Sequence, residues 1–439
     1  MPAHRLPVRP DLDQLRHLAK DLLKAYRAGE AEAVTQFAEF HPSTMAPSAA
    51  RLADAQLVLA RAYGASSWTR LVQCCQLIDA IWTDDAEAVR RLVTANPNLL
   101  TENAGIGNRN WGPPLSYAAN LGRDRIIRLL YDLGARDLGH AIGRAVLQSR
   151  VETAAMLHEM LGRPAPPDNA FGGAAYTLSV PGTEFLFRLG ARVRPGAGTP
   201  VETVIGSDSR RPADKRRILA LYAEHGYLYP DTPVMAFHRG RFDLLEEHLA
   251  RDPQLLSRTF AIEEIFPPDV GCRHPSYEAM GTPVDGGTLL HLAVYWDELD
   301  MAEWLLDRGA DPNSRSAVDA DGFGGFTPLF NSVVSQAAFW MNYARHRMPQ
   351  PGDAAFTERL LARGADPGAR ASIRMRLGAG HGDTRLREFR DVTPLSWGRR
   401  FAEQPSAEGH PEQLFVNREA LRVLDARAAA GDSSDDSRE

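Results

Sequence analysis

The chain has 439 residues, 44% hydrophobic and 24% charged, so it can bury a sizeable core and is neither a disordered polyelectrolyte nor a fibre. Its formal net charge of -6 creates no overall field that would attract nucleic acid or an anionic membrane. It has no apolar run of the about 18 residues that span a bilayer, no secretion signal at its start, and only three cysteines. We therefore expect a cytoplasmic protein without a membrane partner.

Residues 1–76 predict an N-terminal helical capping module. Leu15, Leu18, Leu22 and Leu23 recur at helical spacing, which is typical of an amphipathic helix. The predicted helices run over Leu12 to Ala28, Ala31 to Phe40, Arg51 to Tyr63 and Ser67 to Gln76.

After residue 76 the sequence repeats one pattern of spacing. Pro113 precedes Gly122 by nine residues, and Gly122 precedes Gly134 by twelve. The same two distances separate Thr288, Asp297 and Gly309. Each segment predicts a helix, a turn and a second helix that a glycine ends. One such pair leaves apolar surface exposed, so neighbouring pairs must stack to complete the core.

The segment from Gly286 to Asn313, GGTLLHLAVYWDELDMAEWLLDRGADPN, resembles the ankyrin repeat. Weaker copies extend the resemblance over residues 77–430, in eight or nine units, and residues 1–76 resemble the helical module ahead of the repeats in some bacterial ankyrin proteins. The resemblance implies a mainly α-helical fold, an α-solenoid of helix-turn-helix repeats with long loop or β-hairpin fingers. It also implies that His291 has a structural role, bonding the backbone of the adjacent loop.

Insertions interrupt the repeats at residues 257–287, 337–351 and 371–391. Thr393 follows Thr327 after 66 residues, where about 33 make one repeat. The third insertion predicts a β-hairpin with a turn at Gly378 to Gly382, and the first predicts a long loop. Residues 431–439 are rich in Ser and Asp, and we expect a disordered acidic tail there.

The resemblance implies binding of a protein partner of unknown identity through the first helices and the loops between repeats. Large aromatic side chains, which are enriched at interface hot spots, are the predicted contacts there. These are Tyr295, Trp296, Phe326, Trp340 and Tyr343. For Tyr295 and Trp296 the alternative is that they pack against the long loop before them.

The hairpin is basic, with eight Arg and three acidic residues between Arg370 and Arg400. Arginine pairs well with carboxylates and phosphates, so the hairpin predicts an anionic partner surface. The candidate residues are Arg374, Arg376, Arg385 and Arg387. A solvated hairpin that folds onto its neighbours is the alternative. Nucleic acid is disfavoured, because no nucleic-acid-binding motif accompanies the basic residues.

The loop from Phe266 to Gly287 holds Cys272 and His274, which offer a weak candidate nucleophile and base, or metal ligands together with Asp269. The alternative function is therefore an enzyme or a small-ligand protein with its site at this loop. The C-x-H spacing matches no catalytic or zinc signature, and the sequence has no H-E-x-x-H motif or phosphate-binding loop. We therefore expect no metal site and no cofactor.

Overall fold

The computed structural model describes residues 6–106, 111–196, 199–207, 209–272, 278–279, 281–335, 353–377, 385–403 and 416–435. The chain divides into two compact units, Met1–Ala165 and Pro166–Glu439. Over the ranges just given, no helix combines the length and the apolar character needed to cross a membrane.

The first unit is helical. Its helices are α1 (Leu12–Arg27), α2 (Ala31–Phe40), α3 (Leu52–Ala62), α4 (Trp68–Trp82), α5 (Ala86–Ala95), α6 (Pro114–Leu121), α7 (Asp124–Asp132), α8 (Leu138–Leu147) and α9 (Val151–Met160). Asp11 begins α1, since its carboxylate accepts from the amides of Asp13 and Gln14. The first three helices enclose a core in which Tyr26 stacks on Phe37 with ring centroids 3.7 Å apart.

From α4 onward the helices of the first unit pack as pairs. α4 packs against α5 and α6, and α6 packs against α7 and α8. The helix predicted to end at Gln76 continues to Trp82, so the predicted module border falls inside α4. The first helix pair thus begins at Trp68, ahead of the predicted start at residue 77.

The second unit has thirteen helices and three strands in its described residues. The helices are α10 (Gly172–Tyr176), α11 (Val180–Arg188), α12 (Pro200–Ile205), α13 (Pro212–Glu224), α14 (Pro233–His238), α15 (Phe242–Arg251), α16 (Ile262–Ile265), α17 (Leu289–Tyr295), α18 (Leu299–Asp307), α19 (Pro328–Val333), α20 (Ala355–Ala362), α21 (Pro394–Ala402) and α22 (Arg418–Asp435). The strands are β1 (Glu278–Ala279), β2 (Ala371–Leu377) and β3 (Arg387–Val392). α22 passes Gly431, where the disordered tail was predicted to start, and continues to Asp435.

A shared backbone conformation marks the helix pairs. In six of them the residue two places before the second helix has a positive φ, which lets the chain reverse in a short turn. These residues are Asp84, Gly122, Ser149, Leu178, Gly240 and Asp297. Only two are glycine, so the repeat is clearer in the backbone than in the sequence. The mainly α-helical solenoid class predicted from the spacing is confirmed.

Threonine and glycine mark the ends of four helices, whereas the Thr327 side chain makes no cap hydrogen bond at α19. Thr232 and Thr393 accept hydrogen bonds from the backbone amides three residues later, at 3.2 Å each, and so begin α14 and α21. Gly309 and Gly364 follow α18 and α20 with φ of 93° and 90°, a conformation that side chains with a Cβ rarely adopt.

The strands form one sheet in the order β1-β2-β3. β1 pairs with β2 in parallel, and β2 pairs with β3 antiparallel, with Ile373 opposite Phe389. The predicted β-hairpin is confirmed in its two strands, while its Gly-rich turn lies outside the described residues. One face of the hairpin is buried, and Phe389 contacts Trp397 of α21 with ring centroids 4.7 Å apart.

Candidate partner-binding site

Two of the aromatic side chains predicted to bind a partner lie in the core. Tyr295 ends α17 and is 4% exposed, and Trp296 follows it at 3%. The Trp296 Nε1 donates a 3.1 Å hydrogen bond to the carbonyl of Ile205, and the indole contacts Phe237 and Phe266. This burial contradicts the predicted place of both side chains on a partner-binding surface. It favours the alternative of packing against the preceding loop, since Phe266 at the start of that loop contacts Trp296.

A group of ion pairs lies next to Trp296. Lys215 of α13 pairs with Glu298, and both side chains are almost fully buried. Arg216 also binds Glu298 and reaches Asp300. Burial lowers the pKa of Lys215, and the carboxylate of Glu298 opposes that shift. The Lys215 ammonium also lies 5.3 Å from the Trp296 ring centroid. This arrangement fixes α13 against the α17–α18 turn and offers no open site.

Phe326 is also buried, at 3% exposed, contrary to its predicted place on a binding surface. Its carbonyl accepts a 3.0 Å hydrogen bond from Nε2 of His291. The backbone amide of Thr288 donates to the other ring nitrogen of His291, so Nε2 carries the proton. Burial lowers the pKa of His291 to about 4 and keeps the ring neutral. These bonds match the structural role that the resemblance implied for His291.

Three sequence candidates are outside the described residues. Trp340 and Tyr343 belong to the insertion at 337–351, and His274 belongs to the loop before α17. α19 ends at Val333, ahead of that insertion.

Arg374 on β2 has internal partners. Its guanidinium binds the carboxylates of Asp319 and Asp321, at 2.6 and 2.8 Å. It also lies 4.7 Å from the ring centroid of Phe323, while Arg390 of β3 covers that ring at 4.2 Å. Two cations therefore enclose one buried aromatic ring and anchor the 317–326 loop to the hairpin.

The surroundings of Asp319 favour its charged form. Burial raises its pKa, but the amides of Phe323 and Asp321 and the Arg374 guanidinium outweigh that effect and hold the pKa below its usual value. Gly324 forms a β-bridge with Ser372 of β2, and its φ of 122° brings the loop close to the strand. The sequence did not predict this anchor. Two signals for it were present, since six extra residues lie between Thr288 and Thr327 and the acidic pair Asp319 and Asp321 lies in the same segment.

The other hairpin arginines differ in exposure. Arg376 and Arg387 are half-buried, while Arg385 is exposed. Arg400 of α21 is exposed beside them, donates to the carbonyl of Arg390 at 3.3 Å, and lies 5.5 Å from the Phe389 ring centroid. A guanidinium presents N–H donors in a planar fork that matches a carboxylate. The exposed edge of the hairpin can therefore accept carboxylates.

Cys272 does not have the environment of a nucleophile. The side chain is buried at 5% exposed, and burial, with a smaller effect from Glu202, raises the pKa of its thiol to about 12. The thiol therefore stays protonated at neutral pH, whereas a nucleophilic cysteine needs the thiolate. Across the described ranges, no three His, Cys, Asp or Glu residues are grouped so that they could hold a metal ion.

Comparisons with known proteins locate the family resemblance. Residues 285–317 match the family model of the ankyrin repeat. No curated protein matches the sequence. Among solved structures, the human ASB11 ankyrin repeat domain is similar at 16% identity and a TM-score of 0.25, over 71% of this chain and 97% of that one. A TM-score this low supports no further argument. The match places one ankyrin repeat at residues 285–317, within a chain of repeated helix pairs.

Proposed function

We propose that the chain is a protein-interaction adaptor that binds an acidic surface of a protein partner through the basic edge of its β-hairpin. Ankyrin repeats are generally protein-protein interaction modules, and the match over residues 285–317 supports that class. The observation that carries the specific site is the anchored hairpin. Arg374 and Phe323 hold it against its neighbours, while Arg385 of the hairpin and Arg400 of the adjoining α21 remain exposed.

A preorganised basic edge favours binding because few side chains lose freedom on association. The hairpin strands are packed on α21 through Phe389, so the arginines project from a supported element. Charge complementarity of this kind gives rapid association and strong dependence on salt. The proposed contacts are Arg376, Arg385, Arg387 and Arg400, whereas Arg374 anchors the hairpin.

Affinity capture with charge-reversal variants tests this proposal. The bait proteins are the unaltered chain, the Arg385→Glu/Arg400→Glu variant, and a control with Arg90→Glu/Arg91→Glu on exposed positions of α5. We expect one acidic protein to bind the unaltered chain and the control in about 0.1 M salt, and to elute as salt screens the charges. The hairpin variant should lose that protein at an unchanged thermal midpoint. Equal capture by both variants would contradict the proposed site.

A further inference from the structure

The segment from Leu6 to Pro10, ahead of α1, lies against helices far along the chain. It has no regular secondary structure, yet Leu6 is 3% exposed and Pro10 is buried. Its partners belong to α4 and α6, the first helices of two consecutive pairs.

Two polar contacts hold the middle of the segment. The carbonyl of Val8 accepts a hydrogen bond from the Tyr117 hydroxyl, and that hydroxyl accepts a 3.0 Å hydrogen bond from Nε1 of Trp82. The Arg9 guanidinium donates to Oδ1 of Asp79 at 2.7 and 3.1 Å and lies 5.7 Å from the Trp82 ring centroid. A main-chain carbonyl and one cation are thus bound beside a buried apolar side chain, as in recognition of a peptide ligand.

The ion pair of the segment is exposed, and space remains beside it. The side chains of Arg9 and Asp79 are 50% and 55% exposed, and exposed ion pairs of this kind contribute about 0–1 kcal/mol. A cleft of about 530 Å³ adjoins the segment, and its lining comes from Arg9, Pro10 and the start of α1 together with Cys75, Gln76 and Asp79 of α4. A partner with a larger side chain could fill more of this face than the chain's own segment does.

We propose that α4 and α6 form a peptide-binding groove, and that Leu6–Pro10 is an internal occupant which a partner peptide displaces. The partner segment carries an apolar residue three positions before an arginine, as Leu6 and Arg9 do. Asp79 selects the cation, and the Tyr117 hydroxyl binds a backbone carbonyl. Because the internal segment is tethered, its effective concentration of about millimolar weakens binding of any external peptide. This groove is separate from the basic hairpin and does not depend on the function proposed for it.

A peptide titration tests the proposal. The probe is a fluorescein-labelled peptide of residues 6–11, and the proteins are the full chain and a variant lacking residues 1–10, which keeps the helix-capping Asp11. We expect saturable anisotropy changes with the truncated chain below about 1 mM peptide, and at least about ten-fold weaker binding to the full chain. A folded truncated chain, judged by circular dichroism, that shows no saturation would overturn the proposal.

Exchanging the charges of Arg9 in the peptide and Asp79 in the chain distinguishes specific binding of the peptide from non-specific adhesion. The Arg9→Glu peptide should lose binding to the truncated chain and regain it with an Asp79→Arg version of that chain. Loss without recovery would also overturn the proposal. If the truncated chain does not fold, the full chain with Arg9→Glu replaces it, because this change weakens the contacts of the segment without removing the segment. The unaltered peptide should then bind the Arg9→Glu chain more tightly than it binds the unaltered chain. Unchanged affinity there would contradict displacement.

Discussion

The indole of Trp296 donates its 3.1 Å hydrogen bond to the carbonyl of Ile205, 91 residues earlier in the chain. Trp296 follows α17, and Ile205 ends α12, so the bond joins two repeats that are not neighbours in sequence. Trp296 therefore belongs to the core between repeats, and its substitution should act on stability.

We expect Trp296→Ala to lower the free energy of unfolding by about 3–5 kcal/mol, because it removes a large buried ring together with its hydrogen bond. Trp296→Phe keeps most of the ring and should cost less. The matched control is Trp304→Ala on α18, since Trp304 is only half-buried and stacks on Arg308 with the guanidinium 4.0 Å from the ring centroid. Urea denaturation measures all three. If Trp296→Ala leaves the urea midpoint unaltered, Trp296 would again be a candidate contact of the partner-binding surface.

The sequence predicted the local structure well and the environment of Trp296 poorly. The four N-terminal helices follow from local apolar spacing, and their observed bounds lie close to those predicted, apart from the longer α4. Burial of Trp296 depends on Ile205, Phe237 and Phe266, which no local pattern connects to it. The strands of the hairpin follow from alternation, but the partners of Arg374 come from a loop about 55 residues away.

The buried ion pairs around Glu298 make a second stability test. Glu298 neutralises both Lys215 and Arg216, so Glu298→Gln leaves two cations without their common partner. We expect this change to cost about 3–5 kcal/mol of unfolding free energy, because breaking a buried pair leaves uncompensated charge. Lys215→Met removes one buried cation while Arg216 keeps Glu298 paired, so it should cost less. Equilibrium unfolding in urea compares the two variants. A larger loss of stability for Lys215→Met than for Glu298→Gln would show that Lys215 is the principal partner of Glu298.

Two of the buried histidines, His291 and His238, give stability a defined pH dependence. Burial lowers the pKa of His291 to about 4 and, with the nearby Lys215 charge, that of His238 to about 3. An unfolded histidine has a pKa near 6.5, so between about pH 6.5 and 4 the unfolded chain takes up protons that the folded chain does not. Stability conferred by neutral burial is therefore present above pH 6.5 and is lost as pH falls through this window.

Each histidine should contribute a slope of up to about 1.4 kcal/mol per pH unit. Asp297 acts in the opposite direction, since burial raises its pKa to about 6. The measurement therefore compares two proteins, the unaltered chain and the His291→Gln variant, by their unfolding free energies from pH 7 to 4.5. The variant should be less stable at pH 7 and should show a shallower decline. Parallel curves would mean that the folded chain protonates His291 as readily as the unfolded chain does.

The anchor between Arg374 and the 317–326 loop should control the local order of the hairpin. Arg374→Lys keeps the charge but loses the planar group that binds Asp319 and Asp321 while lying over Phe323. We expect hydrogen exchange at the amides of β2 to accelerate several-fold with little change in the global thermal midpoint, because local opening does not require global unfolding. Arg376→Lys on the same strand is the control. If both variants exchange at the rate of the unaltered chain, packing of Phe389 on Trp397 alone suffices to hold the hairpin.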